Sequence, residues 1–143
     1  MNNKVKHLEM IEAIIARLAN NSYTLKGWAI TLVVGIITLS GKDQNKLYMI
    51  MAYVPLIAFW LLSSYYLYIE NLYTILYNDV RCKKEEDIDF NMGTVYIKHK
   101  KRIFAKSIFS TSQILFYGSS ITFLTLTLIF VGAFHTAQVT TVP

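Results

Sequence analysis

Long apolar stretches dominate the pattern of hydrophobic and polar positions along the chain. Three of them contain no Lys, Arg, Asp or Glu: 27–41, 47–69 and 108–134. A helix needs roughly 20 apolar residues to cross the ~30 Å hydrocarbon core of a bilayer. The first stretch reaches this length when Tyr23 and Leu25 are included and the Lys26 ammonium extends to the headgroups. The pattern predicts three membrane-spanning helices at about 23–40, 47–69 and 113–134.

The first 22 residues have a different pattern, typical of an amphipathic helix. Four aliphatic side chains recur at spacings of three and four: Leu8, Ile11, Ile15 and Leu18. Charged residues occupy the other faces. This leader stripe has three possible partners, namely the second helix of the same chain, the headgroup layer, or copies of itself in an oligomer. The polar run 20–22 interrupts the pattern and predicts a bend or break before the first span.

A cleaved signal peptide would also combine a basic leader with a short apolar region. The leader before Tyr23 is longer than the basic region of an ordinary signal peptide, and no small-x-small site followed by a soluble domain comes after it. We therefore expect the first apolar segment to stay in the mature protein.

Helical periodicity continues past the end of the second apolar stretch. Apolar side chains still repeat at three and four: Leu72, Tyr73, Leu76 and Val80. A helix from Leu47 to Val80 would be roughly 50 Å long, so about 20 Å should project beyond the hydrocarbon into the cytoplasm. Pro55 predicts a kink in the part within the membrane.

The third apolar stretch carries small side chains on one helical face: Gly118, Thr122, Thr125 and Gly132. Small residues at such spacing let helices approach closely. The face has three interpretations, namely packing against the other spans of the same chain, contact between subunits, or the polar lining of a pore. Upstream, residues 103–112 are more polar and predict an interfacial or projecting helical turn.

The distribution of basic residues predicts the topology. Of the 14 Lys and Arg residues, all except Lys42 and Lys46 precede the first span, lie at its start (Lys26) or lie between the second and third. The positive-inside rule therefore places the N-terminus and the connector 70–112 in the cytoplasm, and the tail 135–143 outside. The formal net charge of +5 is explained by this topology and by attraction to anionic lipid, which argues against nucleic-acid binding.

Two charged side chains fall at the same inner boundary of the predicted bilayer. Lys26 begins the first span and Glu70 follows the second. A charge near the edge of the hydrocarbon is costly alone, and pairing offsets part of that cost. The two residues either form an ion pair or extend separately into the headgroups.

Composition argues against a soluble domain and against catalysis. Hydrophobic residues make up 54% and charged residues 16% of 143 residues, which is apolar for a soluble domain of this size. Cys82 is the single cysteine and the three histidines share no ligand spacing, so we expect no metal site. The sequence also has no Gly-rich phosphate loop and no paired carboxylates within a span. We expect neither an enzyme nor a cofactor, and no proton-coupled transporter.

Two segments carry a resemblance to known proteins: HLEMIEAIIARLANNSYTLKGWAITL (7–32) and YIENLYTILYNDVR (68–81). They resemble a group of small bacterial multispan membrane proteins with a helical leader, a Lys-Gly-Trp start to the first span and a tyrosine-rich second helix. The resemblance covers roughly the first 80 residues. It implies bacterial origin and the inner membrane, and some similar proteins act as membrane effectors in antiphage or toxin systems.

The sequence thus predicts an all-α integral membrane protein, with a cytoplasmic leader helix (1–22) and a membrane domain (23–134). Two functions fit it. One is a small oligomeric inner-membrane effector that perturbs or permeabilises the bilayer when a cytoplasmic partner or ligand signals to it. The other is a non-catalytic anchor or regulatory subunit of a larger membrane complex.

Overall fold

The computed structural model describes residues 3–43 and 46–139, with side-chain surroundings for 3–39, 47 and 50–130. All regular secondary structure in this part of the chain is helical, which confirms the all-α prediction. The elements are α1 (Asn3–Asp43), α2 (Lys46–Met51), α3 (Tyr53–Cys82), a 3-10 turn (Glu85–Asp87), α4 (Lys100–Ile108) and α5 (Thr111–Val139).

The leader and the first apolar stretch form one continuous helix, so the predicted break at residues 20–22 is wrong. Asn costs a helix at most about 0.7 kcal/mol relative to Ala, which tertiary contacts readily offset. The polar Ser22 is buried, and its hydroxyl lies 2.9 Å from that of Ser63. The Thr24 hydroxyl donates to the Asn20 carbonyl at 2.9 Å, a bond made within the helix itself.

The second predicted helix is interrupted near its start. A turn at Ala52 separates α2 from α3. Pro55 explains the position, because proline has no N–H to donate to the carbonyl of Met51 and its ring clashes with that carbonyl. Beyond the turn, α3 continues to Cys82, two residues past the predicted end at Val80.

The chain divides into two compact units. The charged unit comprises Met1–Leu25 and Leu61–Ser110, and the apolar unit comprises Lys26–Trp60 and Thr111–Pro143. Of the 14 basic and 9 acidic residues, the apolar unit holds Lys26, Lys42, Asp43 and Lys46. The division of the chain by packing therefore coincides with its division by charge.

Each unit has its own apolar core. In the charged unit Ile11 of α1 packs with Leu76 and Val80 of α3. The core of the apolar unit joins residues of α1, α3 and α5 with the turn at Ala52: Ala29, Val33, Ala52, Leu56, Tyr117 and Leu124. The Tyr117 hydroxyl donates to the Phe59 carbonyl at 3.1 Å, which satisfies the polar end of this buried ring.

Among the described residues, two helical stretches are long and apolar enough to cross a membrane: Asn3–Leu39 and Thr111–Phe130. The second predicted span, 47–69, is not one of them. The turn at Ala52 shortens its helix, and the tyrosines and serines of α3 lower the mean hydropathy of the part that remains.

Candidate functional site

The leader stripe packs on the second long helix of its own chain. Ile11 is fully buried against Leu76 and Val80, and Leu8 and Ile15 pack at the edge of the same cluster. Leu18 is buried as well. Of the three partners that the sequence left open, the structure supplies the intrachain one.

Polar side chains are also buried in the charged unit, in hydrogen-bonded pairs between its helices. Ser22 of α1 meets Ser63 of α3, with 2.9 Å between the hydroxyl oxygens. The Asn71 side-chain amide donates to the Ser107 hydroxyl at 3.0 Å, and that hydroxyl donates to the Ile103 carbonyl. A buried polar group without a partner costs about 1–3 kcal/mol, so these pairs fix which helix faces meet.

His7 is an exception among the buried polar residues. It is 1% exposed, and neither ring nitrogen has a hydrogen-bond partner within the described part of the chain. Its ring lies 5.3 Å, centroid to centroid, from that of Phe90. Phe90 has φ 52°, in the left-handed region that bulky residues rarely adopt. The loop therefore holds a strained aromatic residue over an unsatisfied imidazole.

A half-open cavity of about 490 Å³ lies where the end of α3 meets the following loop. Its lining combines acidic, basic, thiol and phenol groups: Leu76, Asp79, Val80, Cys82, Lys83, Asp89, Asn91 and Tyr96. Two hydrogen bonds join the loop to the start of α1. The Lys4 ammonium donates to the Lys83 carbonyl at 2.7 Å. The Asn3 N–H donates to a Glu85 carboxylate oxygen at 3.2 Å.

The charges of the cavity are set by local hydrogen bonds. The Asn91 backbone N–H, 3.2 Å from the Asp89 carboxylate, is the main cause that lowers the pKa of Asp89, and the Lys83 ammonium at 3.6 Å lowers it further. Tyr96 is 53% exposed, yet its hydroxyl end is turned inward and donates to Asp79 at 2.9 Å. Partial burial, then the Asp79 carboxylate, raises the pKa of Tyr96 to about 12.

The lining of this cavity is part polar and part apolar. Among the side chains that the structure describes, in residues 3–39, 47 and 50–130, no group of three or more His, Cys, Asp or Glu is placed to hold a metal ion. Sequence reasoning missed the cavity because Asp79 and Tyr96 share no periodicity. The Asp89 and Asn91 turns that shape it are the one readable signal, since Asp and Asn side chains often bond the backbone two residues on.

At the predicted inner boundary, Lys26 has two neighbours within the apolar unit. Its ammonium donates to the Ser112 hydroxyl at 2.9 Å and lies 5.7 Å from the centre of the Phe116 ring. Glu70 belongs to the charged unit. Pairing of Lys26 with Glu70 stays a prediction.

The small-residue face of α5 differs from the face that the apolar unit buries. Gly118 is half-buried and Thr122 and Thr125 are exposed, whereas α5 buries Tyr117 and Leu124. The Thr125 hydroxyl lies 2.8 Å from that of Tyr53, so this face contributes one polar contact to α3. Gly132 lies in α5, beyond the residues whose surroundings are described.

Comparison with known proteins identifies no relative. No family model, no curated protein and no solved structure matches this chain. The resemblance to small bacterial multispan proteins stays a prediction.

Proposed function

We propose that this chain is a bacterial inner-membrane protein with three spans, and that its charged unit lies in the cytoplasm except for residues 23–25 and 61–69, which belong to the first two spans. The supporting observation is the inverted surface of the apolar unit, which exposes large apolar side chains such as Trp28 (59%), Val54 (68%), Leu115 (68%) and Phe123 (64%). Only 17% of the most apolar window of α1, and of α5, is buried. A soluble core helix would be mostly buried, whereas hydrocarbon solvates such a surface.

The second span remains in this proposal although 47–69 is not one of the two stretches that are long and apolar enough by themselves. No charged residue occurs in 47–69, and α3 exposes Val54, Ile57, Leu61 and Leu62. Three crossings place the basic connector inside and residues 135–143 outside. A reporter fused after Pro143 should be active outside the cytoplasm, and a cytoplasmic signal would remove one span.

Within the membrane, the leading function is that of an oligomeric effector that permeabilises the bilayer. A single chain leaves most of its helix surface uncovered, which favours association with copies. The cavity beside Asp79 and Asp89 would receive the cytoplasmic ligand, and it lies against the same α3 residues that hold the leader, Leu76 and Val80. Ligand binding there would change the packing between α1 and α3.

One observation favours the second candidate, a non-catalytic anchor or regulatory subunit. The hydroxyls of α5 are already satisfied within the helix: Ser119 and Ser120 donate to the Phe116 carbonyl, and Thr122 to that of Gly118. These hydroxyls therefore do not require a water-filled pore in order to be stable within the bilayer.

Release of a trapped dye separates the two functions. The purified full chain is reconstituted in liposomes over a range of protein-to-lipid ratios, with a Leu126→Arg chain as the control that should not insert properly. For an effector, dye release should rise more than proportionally with the protein-to-lipid ratio, because a pore needs several copies of the chain. No leak at any ratio, together with monomers by crosslinking in membranes, would favour the anchor.

A further inference from the structure

Helix α4 packs on the charged unit through one face. Phe104 meets Tyr68 of α3 edge to face, with 5.4 Å between ring centres, and the fully buried Ser107 accepts a hydrogen bond from Asn71. Ile103 is half-buried on the same side. These positions follow the spacing of three and four that lets one face of a helix pack on a neighbour.

The opposite face of α4 is basic and exposed. At about 100° per residue, Lys101, Arg102, Lys106 and Phe109 fall within an arc of roughly 140°, with Phe109 near its centre. Phe109, the residue after α4, is 65% exposed. Within the described part of the chain none of these three basic side chains forms an ion pair, and no acidic residue follows Asp89 in the sequence.

The position of this basic face along the chain points to its partner. Helix α4 ends at Ile108, and α5, one of the two stretches able to cross a membrane, begins at Thr111. A basic cluster directly before a span lies at the depth of the lipid headgroups if the span is inserted. An aromatic side chain among basic ones is typical of helices that lie in the interface.

We propose that Lys101, Arg102 and Lys106 bind the phosphates of anionic lipid headgroups, while Phe109 inserts among the acyl chains beside them. This proposal rests on the proposed insertion of α5. It assigns to α4 a lipid class and a site, and it makes the charged unit dock on anionic rather than zwitterionic membrane.

Lipid titration of the full chain tests the assignment. The protein in a neutral detergent is titrated with short-chain phosphatidylglycerol or phosphatidylcholine, and bound lipids are counted by native mass spectrometry. The test variant is Lys101→Gln/Arg102→Gln/Lys106→Gln. The matched control, Lys6→Gln/Arg81→Gln/Lys84→Gln, removes three exposed basic residues elsewhere in the same unit. Circular dichroism verifies that both variants keep the helical content of the wild type.

The α4 variant should raise the Kd for phosphatidylglycerol roughly 100-fold, at about fivefold for each of the three basic residues, with phosphatidylcholine unaffected. The control should stay within about twofold of the wild type. Equal losses in both variants would show an effect of net charge alone and overturn the site. So would unchanged binding by the α4 variant, or displacement of the lipid by a lower concentration of single-stranded DNA.

Failure of the proposed insertion has a separate readout. If alkaline carbonate extracts the wild-type chain from vesicles, the spans are wrong, whatever α4 binds in detergent. If the chain resists extraction while the lipid titration shows no selectivity, the α4 site alone is wrong.

Discussion

The charged unit and the apolar unit differ in which side chains they bury and which they expose. The charged unit buries polar groups such as Ser22, Ser63 and Ser107 and carries nearly all of the chain's charge outside. The apolar unit has a core of its own, yet it exposes side chains such as Leu115 and Phe123 as large as those it buries. The regular secondary structure described in both units is helical, and both obey the same packing rules. The proposed insertion of the apolar unit in lipid would account for the difference, because a surface is stable when it matches its solvent.

The proposed difference between the two surfaces would be contradicted most directly if both tolerated an added charge equally well. Leu126 in the apolar unit is 61% exposed and Met10 in the charged unit is 43% exposed. Leu126→Arg should cost about 3–4 kcal/mol of membrane insertion, because the charge would face hydrocarbon. Met10→Arg should change stability by no more than about 0.5 kcal/mol, as for a water-facing site. Resistance to carbonate extraction and the folded fraction measure both, and similar small effects at the two sites would place the apolar unit in water.

The second largest effect is expected from a substitution in the core of the charged unit. Ile11 is fully buried between α1 and α3. Ile11→Ala should destabilise this unit by about 2–3 kcal/mol through lost burial and the cavity left behind. Hydrogen exchange of the full chain in detergent should rise in residues 61–82 and stay unchanged in 111–130. An equal rise in α5 would show that the two units unfold as one.

Lys26 tests the inner boundary with a smaller effect. Lys26→Ala and Glu70→Ala should each destabilise the fold, and the double variant should lose less than the sum, with a coupling of roughly 0.2–1 kcal/mol. A second cycle with Ser112→Ala measures the contact that the structure shows at 2.9 Å. Coupling to Ser112 with strict additivity toward Glu70 would mean that the predicted pair does not form.

Tyr96 gives the smallest effect and a distinctive pH dependence. Tyr96→Phe removes the hydrogen bond to Asp79 and should cost about 0.5 kcal/mol, the low end for a half-exposed site. Because the pKa rises from 10.0 to about 12 in the folded chain, the stabilisation is complete below pH 10 and is lost as pH rises toward 12. The difference in Tm between wild type and variant should shrink over this range. A difference independent of pH would contradict the Asp79 contact.

The sequence predicted those features that depend on local periodicity. The leader stripe, the end of α3 and the disturbance near Pro55 follow from spacing and from the chemistry of proline, and the structure has each of them. The prediction of a break at residues 20–22 was wrong, because the Ser22 hydroxyl is hydrogen-bonded to that of Ser63 on α3, 41 residues away along the chain. His7, Phe90 and the cavity beside Asp79 were missed for the same reason. Their surroundings come from contacts distant in sequence, which no period encodes.

Thiol accessibility tests the central claim, that the apolar unit faces lipid and that the charged unit faces cytoplasmic water beyond the ends of the spans. Cys82 is exposed and is the only cysteine of the sequence. Ile129, 62% exposed in α5, supplies the comparison as Ile129→Cys in a Cys82→Ser background. Both are reacted with a membrane-impermeant maleimide in sealed inside-out and right-side-out vesicles. The account predicts rapid labelling of Cys82 in inside-out vesicles alone and almost none at position 129 in either orientation, whereas equal labelling at the two positions would contradict it.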